Sequence, residues 1–257
     1  MNGAIAIARK ELRTYFYSPV AYVVVGIFLF IMGIIFAKFI SIYIEYTKMQ
    51  RFGQAPSITL DKLAGYLYQN MAFILCFLTP FLTMRLFAEE RRQQTLELLF
   101  TSPVTGWQMV LGKFFASYGL MLLMLAFSLL YAGFMIIWGN PDIRVMASTY
   151  LGLMLAMACY VSLGTLISAT TSSQAIAAIF TFIALLLLWL MQSLAQGLTA
   201  KIGPIDIGEV LGYISPLSHF SGFADGLLHV KDIVYFLSFT FFMLFSTLRV
   251  VESNRWR

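Results

Sequence analysis

Fifty-six consecutive residues, 145–200, carry no charged side chain: VMASTYLGLMLAMACYVSLGTLISATTSSQAIAAIFTFIALLLLWLMQSLAQGLTA. A helix that crosses a bilayer needs about 20 mostly apolar residues, so this stretch is long enough for two such helices. The polar cluster Thr170–Gln174 lies near its middle and predicts the turn between them. We therefore predict a pair of membrane-spanning helices at 146–169 and 175–196.

The composition extends this conclusion to the whole chain. Of its 257 residues, 60% are apolar and 11% are charged, whereas soluble domains are about 45–50% apolar and about 25% charged. A chain of this length cannot hide such an excess in one core. The composition excludes a soluble enzyme, a nucleic-acid-binding domain and a disordered linker. It predicts an integral membrane protein whose partner is the lipid bilayer, with no nucleic acid.

Further windows with few charges complete the count of spans. Helices are the secondary structure that satisfies its own backbone hydrogen bonds in lipid, so we predict an all-α integral membrane protein. The sixth window, Ile233–Leu248, is the shortest and covers about 24 Å as a helix. An even number of spans puts both termini on one side. The six predicted transmembrane helices are 20–40, 64–84, 115–138, 146–169, 175–196 and 233–249.

The distribution of Lys and Arg predicts the orientation. If the N-terminus is cytoplasmic, ten of these residues lie inside and seven lie outside. The ten inside lie close to the predicted span ends, where basic residues set orientation most strongly. We expect both termini to face the cytoplasm.

Residues 1–18 predict an amphipathic helix ahead of the first span. Ser18-Pro19 ends it, because the residue before proline is disfavoured in a helix. A helix with one apolar face and cationic residues beside it fits the surface of the cytoplasmic leaflet. An ordinary tail with cytoplasmic positive charge is the alternative. The apolar residues at helical spacing are Ile5, Ala8, Leu12, Tyr15 and Phe16.

The predicted cytoplasmic loop 86–112 combines charged and apolar residues. It opens on the charge run Glu89–Arg92, and Thr95–Phe100 then predicts a short helix that ends at Ser102-Pro103. Thr105 is placed to cap the next helix. Two interpretations of the apolar side chains in Thr95–Phe100 stay open on composition alone. A partner protein covers them, or they lie on lipid headgroups.

Several motifs resemble those of type-2 ABC exporter permeases. Glu90-Arg91, Thr95–Leu99, Ser102-Pro103 and Gly112-Lys113 are similar to the coupling loop of that family. Ala8–Leu12 with Ser18-Pro19 resembles its N-terminal elbow helix, and residues 201–232 resemble its short re-entrant external helices. The closing residues 232–256 are most similar to the gliding-motility-associated, GldF-like subgroup. Gln94 departs from the family pattern, which commonly has glycine there.

The resemblance implies a membrane-spanning permease subunit that moves a substrate outward by alternating access. It implies two copies of a cytosolic ABC ATPase that use ATP and Mg, a second permease subunit of the same or similar kind, and a place in the bacterial inner membrane. The chain itself would bind no cofactor. The residues implied to dock the ATPase are Glu90, Arg91, Thr95, Leu96, Glu97, Leu99, Ser102 and Pro103, with Lys113 near the interface.

Alternative functions are also open. A non-transporting anchor or assembly platform for an ATPase complex would present the same docking surface. An ion-coupled secondary transporter is disfavoured, because such proteins place ionisable residues within their spans, and the charge-free windows contain none. A membrane-embedded enzyme would need a catalytic set near a span end, and none is evident.

The chemistry-bearing residues predict no catalytic site and no metal site. Gly106–Lys113 has five residues between its glycines, and Phe114 follows, so it is a poor match to a phosphate-binding loop. We expect Cys76 and Cys159 to be small buried residues. The polar residues of the loop 201–232 match no recognisable metal-ligand spacing, and we expect them to be scattered and solvated: Asp206, Glu209, His219, Asp225 and His229.

Overall fold

Long helices dominate the computed structural model, which describes residues 2–51, 60–94, 105–139, 141–197, 201–202 and 205–253. In this part of the chain, six helical segments are long and apolar enough to cross a membrane. The prediction of an all-α protein with six spans is confirmed. The helices are α1 Asn2–Tyr17, α2 Pro19–Arg51, α3 Leu60–Thr83, α4 Ala88–Arg92, α5 Gly106–Gly139, α6 Ile143–Thr170, α7 Gln174–Gly197, α8 Ile207–Ile214, α9 Pro216–Ala224 and α10 Val230–Ser253.

A two-residue antiparallel strand pair lies between α7 and α8. Strand β1 is Lys201–Ile202 and strand β2 is Ile205–Asp206, with Lys201 opposite Asp206 and Ile202 opposite Ile205. The pair is the size of a turn, so it does not alter the helical architecture.

Local sequence signals set several helix starts. The Ser18 hydroxyl accepts a hydrogen bond from the Val20 amide at 3.4 Å, and Pro19 occupies the first position of α2, where its missing N–H costs nothing. At the start of α5, the Thr105 hydroxyl accepts from the Gln108 amide, while the Gln108 side chain accepts from the Thr105 amide. This reciprocal capping box confirms the predicted cap at Thr105.

The helices run past the charge-free windows that predicted them. Helix α2 continues to Arg51 beyond Lys38 and Lys48, and α5 begins at Gly106. A helix satisfies its own backbone hydrogen bonds in either solvent, so helix ends and membrane boundaries need not coincide. The predicted membrane limits of each span therefore stay predictions.

The helices define two ends of one bundle. At the end that we call the terminal end, the first turns of α1 and α5 and the last turns of α10 meet. A Cβ atom built on Gly3 would contact Gln108, and one built on Gly106 would contact Leu248. At the opposite end, which we call the distal end, α8 and α9 lie beside the first turn of α10. The start of α1 and the end of α10 thus lie at the same end of the bundle, as expected for an even number of spans.

Helix α6 forms the centre of the bundle and is packed on several sides. Its small residues permit close contact: a Cβ atom on Gly152 would lie 2.7 Å from Phe223 Cβ on α9, and one on Gly164 would clash with Thr83 on α3. Helix α1 approaches α5 in the same way at Gly112, where a Cβ atom would lie 2.8 Å from the Ala4 carbonyl oxygen. These contacts anchor α1 to α5 and the distal helices to α6.

Both cysteines are buried and unbonded, as the sequence predicts. Helix α1 is present, but its predicted apolar face is only partly covered by protein. Tyr15 is buried, whereas Ile5 and Phe16 are exposed on the surface of the bundle.

Candidate functional site

A buried lysine joins three elements at the terminal end. Lys113 lies in the second turn of α5 and its side chain is 2% exposed. Its Nζ atom lies 2.8 Å from Glu90 Oε1 on α4 and 3.1 Å from Glu11 Oε1 on α1. It also donates to the Leu86 carbonyl oxygen in the turn between α3 and α4. An ammonium group has three N–H donors, so these three acceptors satisfy it completely.

The surroundings of Lys113 exclude most water from this cluster, which we call the Lys113 junction (Glu11, Glu90, Leu86 and Lys113). The two carboxylate side chains are only 13–14% exposed, and the Lys113 ammonium lies 5.1 Å from the centre of the Phe87 ring. Removing a charge from water is costly unless it is paired and hydrogen-bonded. The exposed Lys10 adds a longer contact of 3.9 Å to Glu90.

The turn that carries Leu86 is fastened to α6 by one serine. The Ser168 hydroxyl accepts from the Phe87 amide at 3.1 Å and the Ala88 amide at 3.3 Å, and it donates to the Met84 carbonyl at 3.2 Å. Helix α3 ends at Thr83, so these backbone groups lack helical partners and need others. Ser168 supplies them from the last turn of α6.

Tyr15 ties α1 to the same region. Its hydroxyl donates to the Leu82 carbonyl oxygen and lies 2.9 Å from Ser117 Oγ on α5. The Arg85 guanidinium lies 4.4 Å from the centre of its ring, within the range of a cation–π interaction. Burial raises the pKa of Tyr15 to about 12, so it remains a neutral donor at physiological pH.

Residues 5–251 match the family model described as ABC-2 family transporter protein. The chain belongs to the ABC-2 transporter family. The match covers nearly all of the chain, so the permease is a multi-pass membrane subunit of an ABC transporter. Permeases of this family generally have no ATPase site of their own and generally work with a separate cytosolic ATPase subunit. No curated protein matches this sequence.

The structure brings together one residue that the resemblance assigned to ATPase docking and one that it placed near the interface. Glu90 and Lys113 of the permease form the shortest ion pair of the Lys113 junction. Arg91 lies apart from that pair and donates from Nη1 to the Ala169 carbonyl oxygen at 3.0 Å. The remaining assigned residues lie outside the described part of the chain, so the docking assignment stays a prediction: Thr95, Leu96, Glu97, Leu99, Ser102 and Pro103.

Sequence analysis missed Glu11, although a usable signal existed. Lys113 is followed by a long apolar helix and lies on the same predicted side of the membrane as the carboxylates of residues 1–18 and 86–112. A lysine that starts a buried helix needs a carboxylate partner. The five-residue segment Ala8–Leu12 contains one carboxylate, Glu11, which could have been tested as that partner.

At the distal end, one prediction for the polar residues of the permease is wrong. His219 is buried, and its Nδ1 atom lies 2.6 Å from Oδ1 of the equally buried Asp232. The imidazole lies between Tyr213 on α8 and Tyr235 and Asp232 on α10, and these contacts remove it from solvent. Glu209, Asp225 and His229 are exposed as expected, and the side chain of Asp206 lies outside the described residues. No group of three or more metal-ligating side chains occurs among the residues that the structure describes.

Proposed function

We propose that this permease is the membrane subunit of an ATP-driven exporter that works by alternating access. Its terminal end faces the cytoplasm of a bacterium, and the protein lies in the inner membrane. Two copies of a cytosolic ATPase, which bind ATP and Mg, dock on the loop 86–112 of two permease subunits. The second subunit is the same chain or a similar one.

The Lys113 junction is the observation that supports this proposal. Helix α4 ends two residues after Glu90, and Lys113 lies in the second turn of α5, so the two helices that flank the loop are joined by the Glu90–Lys113 ion pair. The same lysine contacts Glu11 on α1. A partner that moves the loop therefore moves the ends of α4, α5 and α1 together.

Ser168 extends this connection to the centre of the bundle. It holds the α3–α4 turn against α6, and Arg91 adds a second bond to the end of α6. Closely packed elements transmit displacement because protein interiors resist compression. A displacement of the docking loop is thus passed to the spans α3, α5 and α6 instead of being lost in a flexible linker.

The basic residues support the proposed orientation. The described ones at the terminal end include Lys10 and Arg249, which are exposed and available to anionic lipid headgroups. Basic residues next to span ends favour the cytoplasmic side.

The docking assignment can be tested with a double substitution in the loop. Leu96→Asp with Leu99→Asp places carboxylates where apolar side chains are proposed to meet the ATPase, and burying an unpaired carboxylate is strongly unfavourable. An interface loss of about 3 kcal/mol weakens binding more than a hundredfold. We expect normal amounts of permease in native membranes and loss of the co-purifying ATPase, which mass spectrometry identifies.

The control for this experiment is Gln93→Asp, because Gln93 is exposed at the end of α4. It should retain the ATPase. If the double variant also retains the ATPase, the loop is not the docking surface, and contact of Thr95–Phe100 with lipid headgroups becomes the better interpretation.

Transport direction needs a second measurement. Complexes are reconstituted into vesicles with their ATPases outward, and a lipid extract of the native host and ATP are added outside. An exporter moves its substrate into the lumen, which mass spectrometry of the lumen contents detects. ATP hydrolysis without any change in contents would favour the alternative function, an anchor or assembly platform. The resemblance of residues 232–256 to gliding-motility-associated permeases is what supports that alternative.

A further inference from the structure

Both ring nitrogens of His219 face hydrogen-bond acceptors. Nδ1 lies 2.6 Å from Asp232 Oδ1, and Nε2 lies 2.9 Å from the Tyr213 carbonyl oxygen. The histidine side chain is 6% exposed and the aspartate side chain 5% exposed, so water does not substitute for these partners. Three elements meet here, because His219 is on α9, Asp232 is on α10 and Tyr213 is on α8.

The chemistry of the acceptors fixes how many protons the pair holds. A carbonyl oxygen can only accept, so Nε2 of His219 must carry a hydrogen. If Nδ1 and the Asp232 carboxylate both lacked a hydrogen, two lone pairs would face each other at 2.6 Å, which is repulsive. One proton must therefore lie between His219 and Asp232, whichever of the two carries it.

Among the described residues, the neighbouring side chains do not supply a cation that competes with His219 for the Asp232 carboxylate. The His219 ring stacks on Tyr235 at 4.0 Å between ring centres, and Tyr213 meets it edge-on at 5.3 Å. The charged groups nearest in sequence, Asp225 and Lys231, are exposed. The other described titratable side chains on the packed elements are Glu209 and Tyr213 on α8, Tyr66, Tyr68 and Cys76 on α3, Arg144, Tyr150, Cys159 and Tyr160 on α6, Lys231, Tyr235, Arg249 and Glu252 on α10, and His229 in the turn before α10, while α7 has none. Of these, the cations Arg144, Lys231 and Arg249 are exposed.

We propose that His219 and Asp232 form a binding site for one proton, and that this proton holds α8 and α9 against the first turn of α10. The Tyr235 hydroxyl, which donates to the Ile214 carbonyl oxygen, aligns the end of α8 for the His219 bond. Loss of one proton at alkaline pH leaves the imidazole with a single N–H for two acceptors, the Asp232 carboxylate and the Tyr213 carbonyl, so one of the two contacts is lost. The distal end of the permease is then looser, independently of any ATPase at the terminal end.

Helix ends reinforce the arrangement of charge. His219 donates to the last turn of α8, where the helix dipole favours a positive group, and Asp232 lies in the first turn of α10, where it favours a negative one. Both helix dipoles therefore stabilise the form of the pair in which His219 is an imidazolium and Asp232 is a carboxylate.

Hydrogen exchange of the purified permease in lipid nanodiscs tests the proposal between pH 7 and pH 9.5. Exchange of the peptides from 207–224 is corrected for its intrinsic pH dependence and compared with that of α5. The equilibrium between the closed and the locally opened form of a helix sets the protection of its amides from exchange. Loss of a charge-assisted hydrogen bond shifts this equilibrium toward the open form by about tenfold or more. We expect protection of 207–224 to fall about tenfold over this range, while that of α5 stays constant.

The variant Asp232→Asn tests the role of the shared proton, because it removes that proton while it preserves the shape of the site. The asparagine N–H can donate to an unprotonated Nδ1, so the contact persists without a shared proton. We expect protection in this variant to change less than twofold between pH 7 and pH 9.5. His229→Gln removes the only other histidine of the chain, which is exposed, and should keep the wild-type profile.

His219→Gln provides a second route if Asp232→Asn does not fold. It should lower protection at pH 7 and converge with the wild type at pH 9.5. A flat wild-type profile, or an Asp232→Asn profile that falls as steeply as the wild type, would overturn the proposal.

Discussion

Both ends of the bundle bury an ion pair, but the two pairs are built differently. At the terminal end, the three N–H donors of Lys113 meet three acceptors, and the cation lies between two carboxylates. At the distal end, His219 and Asp232 depend on a single proton between them. The terminal end is thus held by two carboxylates around one cation, whereas the distal end is held by contacts that the loss of one proton would weaken.

The difference suits what each end is proposed to do. The terminal end receives the ATPase, and a junction that passes movement onward must keep its elements together. The distal end must open if substrate leaves there, and a contact that depends on one proton is easier to release. Buried ion pairs are weak evidence for stability in general, yet breaking one by removing a single partner is strongly destabilising.

The largest expected effect comes from Lys113→Met. It leaves Glu11 and Glu90 facing each other without a cation and removes the donor to the Leu86 carbonyl, while methionine fills a similar volume. Loss of one partner of a buried ion pair costs about 3–5 kcal/mol. We expect a markedly lower Tm in detergent and loss of ATPase co-purification even though the loop itself is unchanged.

Two companion variants sharpen this prediction. Lys10→Met removes a lysine whose side chain is 65% exposed, and it should melt close to the wild type. Adding Glu11→Gln and Glu90→Gln to Lys113→Met removes the uncompensated carboxylates and should recover more than half of the lost stability. If the triple variant melts no higher than Lys113→Met, packing instead of charge explains the loss.

A smaller effect is expected from Ser168→Ala. The hydroxyl makes three hydrogen bonds to the α3–α4 turn, and its loss leaves the Phe87 and Ala88 amides without this acceptor. Unsatisfied buried groups cost about 1–3 kcal/mol. The control is Ser238→Ala, because the Ser238 hydroxyl bonds only within its own helix and is exposed. Equal melting of the two variants would show that Ser168 does not fasten the turn to α6.

The sequence predicted the local features of this fold and missed its long-range contacts. Six spans follow from apolar run length, and the cap at Thr105 follows from a four-residue motif, because both depend on neighbouring residues. The Glu11–Lys113 contact joins residues 102 positions apart, and no local pattern encodes such a distance. His219 was misassigned for the same reason: its burial depends on how α8 and α10 pack around it, through Tyr213, Tyr235 and Asp232, and not on the polar loop in which it lies.

The contacts of the Lys113 junction were not predicted. The family resemblance assigned Glu90 to ATPase docking and placed Lys113 near that interface. The structure shows them paired with each other and largely buried, which gives them a structural role. The apolar residues Leu96 and Leu99 stay predicted docking residues that experiment must test.

The smallest effect is expected for the exposed ion pair at the terminal end. Arg249 Nη1 lies 3.3 Å from Glu252 Oε2 on α10, but the two side chains are 67% and 46% exposed, so water already solvates both. Glu252→Gln should therefore change stability by no more than about 0.5 kcal/mol. The same substitution at Glu90, whose side chain is 13% exposed and 2.8 Å from Lys113, should cost about 2 kcal/mol, because a hydrogen bond to a buried charge is lost or weakened. Thermal melts of the two variants in the same detergent make the comparison directly. Equal losses of stability would mean that burial does not distinguish the Lys113 junction from an ordinary surface ion pair. The junction would then not be the element that connects the loop to the spans.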